Sequence, residues 1–199
     1  MAYLLDSSTL IDAKNRYYGF GICPGFWQWL SRANADGIVI SIDQVRDELM
    51  QRQDDLTRWC KNRKSFFVDT KDGKTVNSQR ILAGWVTGSY GAAAQSVFFK
   101  AADFTLVAHA HAYNHTAVTG EVAAYGAQVK IPNACKEMAV PHVTVFQMLS
   151  NERVRFNLAQ PLNAKDAIIT PQSLKISRKK IRTLPIRAAC CEKWGRPTY

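Results

Sequence analysis

The sequence lacks long apolar runs, paired cysteine motifs and internal repeats. Its longest apolar stretches, such as 37–42 and 104–108, are much shorter than the roughly 20 residues that cross a bilayer, so we expect no transmembrane helix and no membrane partner. The N-terminus has no basic stretch ahead of an apolar core, which predicts a cytoplasmic protein without a signal peptide. Five cysteines without C-x-x-C spacing argue against a disulfide framework and a zinc ribbon, so reduced thiols are expected.

Excess positive charge is also scarce over most of the chain. Residues 1–150 hold 15 lysines and arginines against 13 aspartates and glutamates, whereas residues 151–199 hold 11 against 3. The net charge of +10 therefore resides mainly in the C-terminal quarter. We predict one domain over residues 1–150 and a basic tail over 151–199 that is loosely folded or disordered, because the tail has weak periodicity and dispersed prolines.

Within residues 1–150, short apolar segments alternate with helical ones. The predicted strands are 2–5, 37–41, 116–119 and 129–131. A Ser41/Gln44 capping-box spacing predicts the start of one helix, and Pro24 the start of another. The other predicted helices are 54–63, 75–87, 102–114 and 134–138. This alternation favours an α/β fold, with a central parallel sheet flanked by helices on both faces.

Four carboxylates stand out against this framework. Asp6 directly follows the first strand, and Glu121 follows the strand at 116–119. Ligands of open parallel sheets collect beyond the carboxyl ends of the strands, so these two acids are expected at one edge of the sheet. Asp103 shares a helix face with apolar residues, and Glu48 borders another apolar stripe. Buried carboxylates generally need a compensating partner.

Clustered carboxylates repel one another unless a cation neutralises them, and their hard oxygen atoms suit Mg²⁺ or Mn²⁺. The four acids together therefore predict a metal site. The alternative for each acid taken alone is a helix cap or a half-exposed surface group. For Asp103 this alternative is specific, because negative charge is favoured near a helix N-terminus.

Four segments carry a family resemblance. YLLDSSTLID resembles the opening motif of PIN-domain nucleases, including the VapC-type toxins, and SIDQVRDEL, ADFTLVAHAHA and AVTGE resemble the segments that bear the second, third and fourth acids of that family. The stretches NRYYGFGICPGFWQWL and KIPNACKEMAV are similar to one uncharacterised bacterial subfamily of PIN-like proteins. The resemblance covers roughly residues 2–149. Glu121 stands where many relatives have Asp, and Gly120 where many have another acid.

This resemblance implies a PIN-like fold and a metal-dependent endoribonuclease, the toxin of a type II toxin–antitoxin module. It implies RNA as the substrate, an antitoxin protein as a partner and compatibility with a homodimer. RNA would be hydrolysed by water activated on one or two Mg²⁺ or Mn²⁺ ions. Asp6 and Asp103 are the preferred direct ligands, and Glu48 and Glu121 complete the shell directly or through water. Ser8 and Thr119 orient carboxylates or waters, Asp12 either extends the acidic site or is a solvated helix residue, and Asn133 either contacts metal-bound water or caps the next helix. Lys14 and Arg16 are either phosphate contacts or ordinary exposed basic residues.

Three alternatives remain open. The first is a catalytically weak PIN-like scaffold, which binds RNA or a partner protein and uses its basic tail to do so. The second is a rival zinc site at His111 and His115, an i, i+4 pair close to His109. The third concerns the aromatic segment at 17–30, which is compatible with stacking on unpaired bases, with an interface, or with a place in the hydrophobic core.

Overall fold

The computed structural model describes residues 1–123, 126 and 128–156. Most of the predicted basic tail, residues 157–199, lies outside them. Five strands form one sheet with the order β3-β2-β1-β4-β5, and every neighbouring pair is parallel. The strands are β1 (Tyr3–Leu5), β2 (Val39–Ile42), β3 (Phe67–Val68), β4 (Thr116–Val118) and β5 (His142–Val143).

Helices cover both faces of this sheet. Successive strand residues point to opposite faces, and Leu4, Leu5, Ala117 and Val118 are all fully buried. The described α-helices are α1 (Ser7–Asp12), α2 (Pro24–Ala35), α3 (Asp43–Met50), α4 (Asp55–Lys61), α5 (Gly73–Ser89), α6 (Ala92–Lys100), α7 (Ala102–Tyr113), α8 (Ile131–Glu137) and α9 (Val145–Asn151). A π-helical segment at Ala13–Tyr17 follows α1, and a 3-10 turn at Lys64–Phe66 precedes β3. The predicted α/β class with a central parallel sheet is therefore confirmed.

Local signals account for several helix boundaries. Pro24 begins α2, as predicted, because a proline at the first helical position gives up an N–H that has no helical partner. Helix α7 ends at Asn114, which adopts the left-handed conformation with a φ of 54°. Asparagine tolerates this conformation better than most residues do. None of the helices in the described part of the chain is long and apolar enough to span a membrane.

Two local predictions are wrong. Residues 129–131 do not form a strand, because Ile131 opens α8 and Pro132 occupies its first turn, where proline favours a helix start. Ser41 does not cap α3, whose capping residue is Ile42. The Ser41 hydroxyl instead donates a hydrogen bond of 2.6 Å to the carbonyl of Leu5, which links β2 to β1 in the core.

Candidate functional site

Asp6 lies where β1 gives way to α1. Its side chain is 1% exposed, and Oδ1 caps the helix by accepting a 2.6 Å hydrogen bond from the Thr9 backbone N–H. The hydroxyls of Ser8 and Thr119 each donate to Oδ2 at 2.7 Å. Burial raises the pKa of Asp6, and the hydrogen bonds oppose this rise. An ionised carboxylate has about four acceptor positions, so these three bonds orient Asp6 and leave it capacity for a further partner.

Glu48 links α3 to the start of α7. Its Oε1 accepts a 3.0 Å hydrogen bond from the backbone N–H of Ala102, the first residue of α7. The N–H groups of a first helical turn have no acceptor within their own helix, so a carboxylate is well suited to this position. The contact brings Glu48 next to Asp103, the second residue of the same helix.

The electrostatic environment of Asp103 connects it with the other three acids. Its pKa is raised to about 7, first by burial and then by the negative charges of Glu121, Asp6 and Glu48. The ammonium of Lys130 acts in the opposite direction. Four acids from four separate segments therefore share one region, and the negative charge there is incompletely compensated.

Glu121 follows β4 and is held by two donors near the start of α8. Its Oε1 forms an ion pair of 2.8 Å with Lys130 Nζ, which raises the pKa of Lys130. Its Oε2 accepts a 3.0 Å hydrogen bond from the backbone N–H of Ile131. The backbone N–H of Glu121 also donates to Thr119 Oγ1 at 3.0 Å. Because the Thr119 hydroxyl donates to Asp6 at the same time, it couples these two acids.

The donor chemistry fits a hard divalent cation. All four acids offer carboxylate oxygens, and a cation would offset the negative charges that add to burial in raising the pKa of Asp103. Among residues 1–123, 126 and 128–156, no group of three or more His, Cys, Asp and Glu side chains is already arranged to hold a metal ion. The described residues thus provide suitable oxygen donors, but these donors are not already arranged as a complete set of metal ligands.

Three residues predicted near the acids have other partners. Lys14 forms an ion pair of 2.8 Å with Asp54, the capping residue of α4. Arg16 and Asp12 pair with each other at 3.3 Å, and the Arg16 side chain is 67% exposed. The contacts of Lys14 are therefore structural, whereas the exposed pair of Arg16 and Asp12 is weak and readily exchanged for another partner.

The start of α8 contains one predicted residue and one that the sequence reasoning missed. Asn133 is the third residue of α8 and half-buried, so it does not occupy the capping position, which belongs to Lys130. Lys130 was not predicted, although its ammonium acts on both Glu121 and Asp103. The only sequence signal was a lysine directly before an Ile-Pro helix start, which is too common to indicate a site.

The histidines have separate polar partners. His109 Nδ1 lies 2.9 Å from the Thr75 hydroxyl, and His111 Nδ1 lies 2.9 Å from the Ser78 hydroxyl, so both connect α7 to α5. Burial lowers the pKa of His109 and that of His115, the latter to about 4. These contacts favour a structural role over the zinc alternative.

The aromatic segment at 17–30 contributes to the hydrophobic core. Phe26 is fully buried and Trp27 is 4% exposed. Tyr18 stacks on Phe26 with a ring-centroid distance of 4.3 Å, and Phe20 stacks on Trp27 at 4.1 Å. This arrangement favours the core interpretation of the segment, because these four rings pack against one another.

A parallel sheet of this order, with acids following β1 and β4 and two more on flanking helices, defines a PIN-like α/β domain. The chain belongs to the family described as "Domain of unknown function (DUF4411)", a PIN-like family whose model matches residues 3–156. A solved structure titled "Crystal structure of VapBC2 from Rickettsia felis bound to a DNA fragment from their promoter" contains a similar chain, with a TM-score of 0.47, 15% identity, and coverage of 72% of this chain and 98% of that one. A comparison with curated proteins finds no match.

Proposed function

We propose that this protein is a metal-dependent endoribonuclease that uses Mg²⁺ or Mn²⁺, and that it acts as the toxin of a type II toxin–antitoxin pair. The observation that carries the catalytic part of the proposal is the gathering of four acids from four segments of the chain. Thr119 links Asp6 to Glu121, and Glu48 binds the N–H of Ala102, directly before Asp103. Burial and then the charges of the other three acids raise the pKa of Asp103. A carboxylate with a strongly perturbed pKa that lies among other acids is typical of functional sites. The partner part rests on the sequence resemblance alone.

In this proposal Asp6 and Asp103 bind the cation directly, and Glu48 and Glu121 complete its shell directly or through water. A bound divalent ion supplies a Lewis acid that polarises a phosphodiester and lowers the pKa of water. Ser8 and Thr119 keep the Asp6 carboxylate in one orientation through its Oδ2 atom. The N–H of Ala102 does the same for Glu48. A fixed carboxylate loses less conformational freedom when it binds a cation, so this support favours binding.

RNA contacts are proposed for the exposed basic groups near α1. Arg16 is the better candidate, because it is largely exposed and its ion pair with Asp12 is long. Lys14 is less available, since it is committed to Asp54 at 2.8 Å. Asp12 and Asn133 are retained as proposed orienting groups for water. A cytoplasmic location, a protein antitoxin and a homodimer complete the proposal.

A cleavage assay with metal removal tests the proposed activity. The full chain is incubated with single-stranded RNA and Mn²⁺, with EDTA in a parallel reaction and DNA of the same sequence as the control substrate. We expect RNA cleavage with Mn²⁺ and none with EDTA, because the carboxylates alone do not activate water. RNA binding that survives EDTA without cleavage under either condition would favour the scaffold alternative. In that case, deletion of residues 151–199 should reduce binding and its salt dependence.

Thr119→Val is expected to weaken Mn²⁺ binding by about 10- to 100-fold, the range for loss of a group that orients a ligand. Valine has the same shape as threonine but removes the hydroxyl that donates to Asp6 and accepts from the Glu121 backbone. The measurement is a Mn²⁺ titration of the full chain followed by the EPR signal of free Mn²⁺. Thr119→Ser is the matched control, because it keeps the hydroxyl and should retain most of the affinity. Equal weakening in both variants would assign the loss to packing.

A further inference from the structure

Lys130 provides a fixed positive charge inside the acidic region. Its Nζ lies 2.8 Å from Glu121 Oε1, and 35% of its side chain is exposed. Its backbone caps α8, so the start of the side chain is anchored by a helix. Its charge also acts on Asp103. Among the described residues, Lys130 is thus the basic side chain that forms an ion pair with one of the four acids.

Glu121 is bound on both of its oxygens by groups of the chain itself. Oε1 pairs with the Lys130 ammonium and Oε2 accepts the Ile131 N–H. A metal bound directly by Glu121 would lie beside the Lys130 ammonium, and the two positive charges would repel each other near a carboxylate that is only 19% exposed. Among the described residues, none of the other three acids forms an ion pair with a basic side chain. Asp6 and Glu48 are hydrogen-bonded by hydroxyl and N–H groups, which do not bring a competing full charge.

We propose that the Lys130 ammonium, held by Glu121, takes the place of a second metal ion. The site then binds one divalent ion, through Asp6, Glu48 and Asp103. The Lys130 ammonium binds the phosphate of the RNA. This inference rests on the proposed nuclease function and refines it. Glu121 is then a positioning residue, which holds the ammonium instead of the metal. A lysine ammonium is a compact charge that binds a phosphate oxygen well, and it supplies the neutralisation that a second divalent ion provides in two-metal sites.

The surroundings of Lys130 leave room for a substrate. Lys130 and Asp103 line the same cavity of about 440 Å³. The rest of its lining is largely apolar and includes Ala93, Val97 and Phe98 of α6. An ammonium in such a cavity can neutralise a phosphate while the attached nucleotide lies against the apolar wall.

The number of bound ions is the first test. The full chain without RNA is titrated with Mn²⁺, and free Mn²⁺ is followed by EPR. We expect one tight ion per chain, lost in Asp103→Asn. A count of two would overturn the Lys130 proposal while leaving the nuclease function intact. A count of zero would reject the proposed metal site itself, and the Lys130 proposal with it.

Lys130→Met separates a role at the phosphate from a role in building the metal site. We expect RNA cleavage with saturating Mn²⁺ to fall about 100-fold, the scale found when one group that stabilises developing charge is removed. Mn²⁺ affinity should stay the same or rise, because a positive charge near the ion has been removed. Lys136→Met is the matched control, at an exposed lysine within α8, the helix that Lys130 caps, and it should behave like the unmodified chain.

The outcomes of this second test are distinct. Cleavage by Lys130→Met within about threefold of the unmodified rate would overturn the proposal, because a loss of that size is far below the scale expected for a charge-stabilising group. Loss of Mn²⁺ binding in this variant would also overturn it, because Lys130 would then support the metal ligands. Thermal unfolding checks that the variant is folded, and Lys130→Gln is the second neutral variant if methionine prevents folding. Lys130→Arg keeps the charge and should retain more activity than either neutral variant.

Discussion

Asp103→Asn is expected to lower Mn²⁺-dependent RNA cleavage by about 1,000-fold or more. Asparagine has nearly the same shape as aspartate but removes the negative charge of the residue on which the other three acids act electrostatically. A catalytic metal contributes several kcal/mol to stabilisation of the transition state, and each 1.36 kcal/mol corresponds to about a tenfold change in rate. The measurement is the initial rate of cleavage of a labelled RNA at saturating Mn²⁺.

The control for this experiment is Asp36→Asn, which removes the same charge from an exposed residue at the end of α2. It should cleave at the unmodified rate. Circular dichroism should show the same secondary structure for both variants, because asparagine keeps the volume of the aspartate that it replaces. Undiminished cleavage by Asp103→Asn would reject the proposed site.

The part of the site that depends on topology was predictable from the sequence. Asp6 and Glu121 each follow a short apolar strand, and the carboxyl ends of parallel strands meet at the same edge. In the structure β1 and β4 are neighbours in parallel register, with Leu4 opposite Ala117 and Leu5 opposite Val118. The alternation of strands and helices was sufficient for this inference, because each acid is placed by the strand that it follows and not by a long loop.

The contacts of Glu48 and Lys130 were not predictable in the same way. Glu48 binds the N–H of Ala102, a partner 54 positions away in the sequence. Lys130 lies directly before α8, and the sequence between Glu121 and Ile131 has no periodic pattern that predicts its pairing with Glu121. Helical periodicity specifies which face of α3 carries Glu48, but it carries no information about which helix end packs against that face.

The error at Ser41 has a similar physical cause. A serine followed three residues later by glutamine matches a capping box, which is a purely local signal. The hydroxyl is fully buried between β2 and β1, however, and the carbonyl of Leu5 lies 2.6 Å away. A buried hydroxyl binds the acceptor that the tertiary structure offers, because an unpaired polar group in the core is costly.

The metal-free protein should become less stable as the pH rises from about 4 to about 7, relative to Asp103→Asn. The pKa of Asp103 is raised to about 7 in the folded protein by burial and by its acidic neighbours, whereas an unfolded aspartate titrates near about 4. Below about pH 4 the residue is protonated in both states and imposes no penalty. Between about pH 4 and 7 the unfolded state releases its proton first, so the free energy of unfolding falls, and above about pH 7 the penalty is complete.

The size and specificity of this effect can both be measured. A difference of about three pKa units corresponds to about 4 kcal/mol as an upper bound, and partial exposure of Asp103 reduces it to about 2 to 3 kcal/mol. His109 and His115, whose pKa values are lowered by burial, destabilise the fold at low pH and so act in the opposite direction. Both histidines are present in the unmodified chain and in Asp103→Asn, so the difference between the two urea-unfolding curves isolates Asp103.

Saturating Mn²⁺ should remove the penalty in the unmodified chain by binding the ionised carboxylate, and it should have little effect on Asp103→Asn. Equal pH dependence of the two metal-free proteins would mean that neither burial nor the neighbouring acids raise the pKa of Asp103 in solution.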